Sequence, residues 1–143
     1  MRVWRICRRQ FADLSGEGAR VYGGRWNSPG RQVVYTAEDA ALTVLEVRVN
    51  LDLAWDVLPD DYVLMGIDLP DGPVEEMTQL PEKAKSAGDA WLASRRSAVL
   101  KVPSVIVPES ANILINVPHP GAAAIRVGSI RSFSFDERLW RPR

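Results

Sequence analysis

The stretch GGRWNSPG, residues 23–30, sets Arg25 and Trp26 among three glycines and one proline. Glycine on both sides of an arginine leaves bare backbone that a ligand can approach closely. A guanidinium offers a planar fork of donors that suits phosphate oxygens. Tyr35 closes the short apolar run QVVYT, Glu46 lies within AALTVLEVRVN, and Ser104 sits among prolines and aliphatic residues in VPSVIVPESANILINVPHP. An arginine loop, a tyrosine, a glutamate and a serine are the residue types that would hold an anionic ligand bearing an aromatic group. Each also has an ordinary reading: a loop arginine without duty, a half-buried tyrosine, a solvated glutamate. Trp26 reads as a packing anchor for its loop. Ser104 and Asn112 need hydrogen bonds if they are buried.

Other chemistries are poorly supplied. His119 is the only histidine and Cys7 the only cysteine, so no zinc cluster and no internal disulfide is expected. No G-x-S-x-G elbow accompanies the histidine. His119, between two prolines, reads as a structural hydrogen-bonding residue, and Cys7 as a buried thiol. Eighteen basic and eighteen acidic side chains cancel, which removes the usual electrostatic signature of a nucleic-acid binder. Arg2, Arg5, Arg8 and Arg9 still crowd the N-terminus, either as a phosphate site or as solvated edge-strand arginines. The apolar runs are too short for a signal peptide core or a bilayer span, so a cytoplasmic protein is expected.

These side chains must be positioned by the elements around them. Strands are expected at 2–7, 32–36, 61–69, 98–108 with a break, a bulge or an edge position at Pro103, and in NILIN, with a short one in VEEM as a further candidate. The segment IRVGSIRSFSF adds one or two more, and VPHPGAAA reads as a turn with a short helix. A glycine-rich connection runs through 10–31, a length usual for functional loops. A helix is expected over 37–50, capped by Thr36, and another within 81–96, starting in earnest near Asp89. On the first helix Ala40, Ala41, Leu42, Val44, Leu45, Val47 and Val49 cover a wide apolar arc, while Asp39, Thr43, Glu46 and Asn50 form a narrow polar stripe. The stripe would then be the helix's only wet side, facing solvent or a cleft. Arg48 falls inside the apolar arc and must snorkel or find a partner. Helices that are not regularly interleaved with strands indicate one α+β domain over 1–143.

The ordered motifs WRI, GGRWNSPG, VVYTAEDAALTVLEV, AWLASRRSAVLKVPSVIVP, NILIN with HP, and FSFDERLW together resemble the RES domain family, the toxin half of RES–Xre toxin–antitoxin pairs. One departure is visible, since Asn116-Val117-Pro118-His119-Pro120 shifts the family's first proline by one position. The resemblance implies a fold like that of diphtheria-toxin-type ADP-ribosyltransferases, with a split mixed sheet and surrounding helices about an NAD cleft. It implies an enzyme that degrades NAD as a glycohydrolase or phosphorylase, with NAD a consumed substrate and no cofactor or metal. A protein ADP-ribosyltransferase and a non-catalytic module of the same fold are the alternatives. Whether water, phosphate or a protein side chain is the acceptor stays open.

Carried onto this chain, the resemblance gives catalytic roles to Glu46, Arg25 and Tyr35, and NAD contacts to Arg5, Arg25, Tyr35 and Ser104, with Ser97 the weaker candidate for the serine. Glu46 would stabilise an oxocarbenium-like charge as the nicotinamide–ribose bond breaks. The implied partner is an Xre-like antitoxin in an oligomeric complex. That antitoxin, rather than this chain, would contact DNA, and no membrane is involved.

Overall fold

The computed structural model describes residues 1–141; the last two residues of the expected 1–143 domain lie outside them. Among the described residues there are seven strands: β1 (Arg2–Arg8), β2 (Val33–Ala37), β3 (Tyr62–Asp68), β4 (Glu75–Glu76), β5 (Val99–Pro103), β6 (Ala111–Asn116) and β7 (Arg126–Ser132). Three helices join them: α1 (Glu17–Tyr22), α2 (Ala40–Asn50) and α3 (Ala84–Ser94). The strands form one mixed sheet in the order β4-β5-β6-β2-β1-β3-β7, in which only β4 and β5 run parallel. This is the α+β class expected from the order of elements.

The sheet is divided in the middle. β1 pairs with β3 from Arg2↔Asp68 to Arg8↔Tyr62, and β2 pairs with β6 from Val33↔Asn116 to Ala37↔Asn112. β1 and β2, although neighbours, share only the Trp4↔Ala37 register position. Beyond that point the two halves part, and a cleft opens between them.

Strand periodicity explains how each half is held. Successive side chains point to opposite faces, so Ile113 and Ile115 enter one core cluster and Leu114 another. Val3 and Cys7 join the first cluster, with Val63, Met65 and Ile67, whereas Ile6 joins a third with Tyr62, Leu64 and Phe135. The first cluster also takes in Val34, and so bridges the two halves beneath the cleft. Cys7 is the buried free thiol expected, and its pKa is pushed up by burial.

Four local expectations are corrected. The 10–31 connection contains α1, a helix too short for periodicity to reveal. Asp39, not Thr36, caps α2 by accepting from the Leu42 N–H at 2.7 Å, while Thr36 belongs to β2 and donates to the Ile113 carbonyl at 2.8 Å. α3 starts at Ala84, ahead of Asp89, and runs through Gly88. On α2 the arc is not buried throughout. Ala40, Val44, Val47 and Leu51 pack on the third core cluster, but Ala41, Leu45 and Val49 face solvent and Thr43 is buried. A helix lying over one half of a divided sheet needs only a narrow apolar face; its polar stripe turns toward the opening.

Gly88 shows how closely α3 approaches the glycine-rich loop. A β-carbon there would fall 1.8 Å from the Trp26 carbonyl oxygen, a backbone atom that cannot rotate away. Gly88→Ala is therefore expected to destabilise the protein by at least ~1–3 kcal/mol. The midpoint of urea unfolding measures this, and an unchanged midpoint would mean that α3 and the loop are not in contact.

Candidate functional site

The cleft between the halves has a volume of about 1480 Å³. Its walls come from β1, α1, the 23–26 loop, β2, α2 and the first turn of α3. It is roomier than most small-molecule sites, which run to roughly 1,000 Å³.

Arg5 stands on the β1 wall. Its Nη1 donates across the opening to the Tyr35 carbonyl at 3.4 Å, at a place where β1 and β2 no longer exchange ladder bonds. Its Nε is the one buried side-chain polar atom without a hydrogen-bond partner among the described residues. A buried donor left unpaired is costly.

The glycine-rich loop is pinned from several sides. The Tyr35 hydroxyl accepts from the Trp26 N–H at 2.9 Å and donates to Asn27 Oδ1 at 2.6 Å. Buried Asn27 donates from Nδ2 to the carbonyls of Ala19 at 2.9 Å and Ser28 at 3.0 Å. Ser28 donates from its N–H and its hydroxyl to the Asp89 carboxylate at 2.8 and 2.6 Å, tying the loop to α3. Gly24 is required because a β-carbon would lie 2.7 Å from the Tyr35 hydroxyl. Trp26 is buried, as a packing anchor should be. Between these fixed points Arg25 lines the cleft, exposed and outside the ion pairs found among the described residues.

On the opposite wall α2 presents Glu46. Its Oε1 accepts from the Ser104 hydroxyl at 2.7 Å. Ser104 is fully buried, and its oxygen accepts from the Ile106 and Val107 N–H groups at 3.1 Å each. Those two donors leave the hydroxyl proton free to point at the carboxylate. Ser104, expected to touch the dinucleotide, thus stands behind Glu46 and off the cleft wall. Thr43 fastens the same helix to β1 through a bond from its hydroxyl to the Trp4 carbonyl at 3.2 Å.

Arg5, Arg25, Tyr35 and Glu46 therefore line one cleft, with Ser104 behind the glutamate. Ser97 lies elsewhere, accepting from Trp91 Nε1 at 2.8 Å and donating to Glu75 at 2.9 Å. His119 accepts from the Gly121 N–H at 2.9 Å and caps a short 3-10 turn, the structural use expected of it. Arg48 finds its partner in Trp140, its guanidinium 4.1 Å from the ring centroid. Sequence reasoning missed Asn27 as the loop's anchor, Thr43 as the tie to β1, and Lys83 and Lys85, which also line the cleft. Asn27 carried a signal, an amide in the middle of the glycine loop; the lysines carried none. Among the described residues no three metal-ligating side chains gather, and no helix is long and apolar enough to cross a membrane.

A family model described as "RES domain" matches residues 2–136. The chain belongs to the RES domain family. It is 40% identical over 143 residues to the "Prs ADP-ribosylating toxin" of Sphingobium sp. (strain YBL2), covering 90% of this chain and 88% of that protein. It is 34% identical over 148 residues to a "Toxin Res" of Pseudomonas putida, covering 98% of this chain and all of the other. Its fold matches a chain in the crystal structure of the M. tuberculosis MbcT–MbcA toxin–antitoxin complex, with a TM-score of 0.77, 22% identity, and coverage of 97% of this chain and 86% of that one. In this RES domain the GGRWNSPG and AALTVLEV motifs each supply residues to the cleft wall, Arg25 from the first and Glu46 from the second.

The Tyr35 phenol is pushed up to about 12, chiefly by burial. The folded state therefore holds this proton more tightly than the unfolded chain, whose tyrosines titrate at about 10. Its contribution to stability is complete below pH ~10 and is lost as pH rises through about 12. Tyr35→Phe should lower the urea midpoint at pH 8, and the gap from the parent protein should shrink between about pH 10 and 12. A gap constant over that range would show that the hydroxyl is not held as described.

Proposed function

We propose that this RES-domain protein is a toxin that consumes NAD in the cytoplasm, breaking the nicotinamide–ribose bond in the cleft between β1 and β2. The observation that carries the reading is the set of charges about one cleft: a carboxylate on α2 oriented by a buried serine, Arg5 on β1, and Arg25 on the glycine-rich loop outside the ion pairs found among the described residues. Arg5 and Arg25 would bind pyrophosphate oxygens in the fork geometry that guanidinium favours. The Tyr35 ring would lie against ribose or nicotinamide, while its hydroxyl continues to hold the loop.

Bond breaking leaves nicotinamide neutral, carrying off the electron pair, and leaves positive charge on the ribose carbon and ring oxygen. Glu46 faces that charge, and stabilising it is electrostatic catalysis of the kind used in glycoside cleavage. Ser104, donating to one carboxylate oxygen, keeps the other turned to the cleft, and so acts as a positioning residue. Water at the ribose carbon gives ADP-ribose and releases a proton; phosphate gives the corresponding sugar phosphate.

A second reading is favoured by the 40%-identical relative that bears the name of an ADP-ribosylating toxin. In it the same intermediate is captured by a side chain of a target protein. Incubating the protein with NAD, with and without phosphate, and identifying the products by mass separates these outcomes. Nicotinamide release with NAD alone supports the first reading. Release that requires an added protein, which gains the mass of ADP-ribose, supports the second.

Such an activity would need restraint in its host. We place the chain with an Xre-like antitoxin whose acidic group or chain-terminal carboxylate would enter the cleft at Arg5 and Arg25, mimicking phosphates. DNA contact would belong to that partner.

Glu46→Gln keeps the side chain's size and removes its charge. NAD cleavage should fall by roughly 10² to 10³ with the melting temperature unchanged, the scale for one electrostatic group. Wild-type turnover would remove Glu46 from the mechanism. Arg25→Lys keeps charge but loses the fork. It should lower kcat/KM without loss of stability; an unfolded variant whose residual folded fraction has normal activity would make Arg25 structural.

A further inference from the structure

The outer face of α2 is apolar where it meets water. Leu45 is 40% and Val49 63% exposed. The strip continues beyond the helix through Leu53, Trp55 and Val57, which are 42, 37 and 60% exposed. Apolar side chains left exposed along one helix face and the segment that follows it make a candidate interaction surface.

The strip is held in shape by the C-terminal turn. Trp140 donates from Nε1 to the Leu53 carbonyl at 2.8 Å, and its ring lies 5.4 Å from that of Trp55. The Arg48 guanidinium covers the same indole at 4.1 Å and donates to the Leu139 carbonyl at 3.1 Å. The end of α2 and the segment after it are thereby clamped as one surface.

That surface has a sign. Along the strip the acids are Asp52 and Asp56; Arg48 is engaged with Trp140, and Arg138 and Arg141 of the C-terminal turn pair with Asp136 and Glu137. Asp52 and Asp56 are exposed, and neither enters the ion pairs found among the described residues. The chain as a whole is neutral, so this is a local acidic rim around an apolar strip.

From this we infer that the outer face of α2 docks a basic amphipathic helix of a protein partner. Its apolar residues would lie on Leu45, Val49 and Trp55, and its lysines or arginines would face Asp52 and Asp56. An amphipathic helix lays its own apolar face on a partner's apolar surface, and opposite charge at the rim gives orientation and on-rate. The acidic rim repels an anionic lipid surface. A second copy of this chain, packed about a two-fold axis, would bring the same acids against each other. The inference does not rest on the reading of the cleft and stands whether or not NAD is cleaved there.

The probe is a labelled helical peptide of about 18 residues, leucine on one face and lysine on the other, with a leucine–glutamate counterpart as control. Fluorescence anisotropy should show saturable binding of the lysine peptide to the intact protein and none of the glutamate peptide. Val49→Asp, at a position exposed enough to leave folding intact, should weaken binding at least fivefold. Reversing the rim with Asp52→Lys and Asp56→Lys together should exchange the preference to the glutamate peptide. Failure of the lysine peptide to bind, a smaller loss in Val49→Asp, or an unchanged preference after charge reversal would each overturn the proposal. So would a dimer of the isolated protein in light scattering that Val49→Asp converts to monomer, since the occupant would then be a second copy.

Discussion

The parting of β1 from β2 is the constraint on which the rest depends. Two neighbouring strands that share one register position leave backbone groups without ladder partners. Arg5 answers part of this by reaching to the Tyr35 carbonyl. The remaining groups face an opening large enough for a ligand. A continuous ladder here would close the sheet and leave no cleft. The core shared by both halves, with Val34 and Ile113 packed beside Val3 and Met65, allows the sheet to open without coming apart.

Each wall of the cleft is then rigidified by buried polar groups acting in relay. On one side Tyr35, Asn27, Ser28 and Asp89 form a chain from β2 through the loop to α3, and Arg25 is carried on it. On the other, two backbone N–H groups orient Ser104, which orients Glu46. The second relay holds the Glu46 carboxylate in place before any ligand arrives, and the first fixes the backbone that carries the exposed Arg25. Preorganisation of this kind is what makes a fixed charge effective against a developing one.

Much of this was legible in the residues themselves. Strands with alternating or continuous apolar character, such as β3 and β6, declared themselves, and the glycine loop marked the place of Arg25. The resemblance to the RES domain family set Glu46 and Ser104 in one site although 58 positions separate them. What was not legible follows from tertiary contacts. The burial of α2 could not be read from its wheel, because a helix over a divided sheet leaves Leu45 and Val49 outside and turns Thr43 in. Nor could the caps be assigned, since Thr36 and Asp39 are both good caps and only the strand's hydrogen bond to Ile113 decides between them. Ser104 behind Glu46 was likewise beyond any pattern, being fixed by N–H groups of the turn that follows it.

The central claim is that the opening between β1 and β2 holds the dinucleotide. A crystal structure of the Glu46→Gln protein soaked with NAD, in which cleavage is too slow to destroy the ligand, tests it most directly. The account predicts intact NAD between the two strands, its pyrophosphate on Arg5 and Arg25 and its nicotinamide–ribose bond beside residue 46. Density for NAD elsewhere on the molecule, or an empty cleft at saturating NAD, would contradict it.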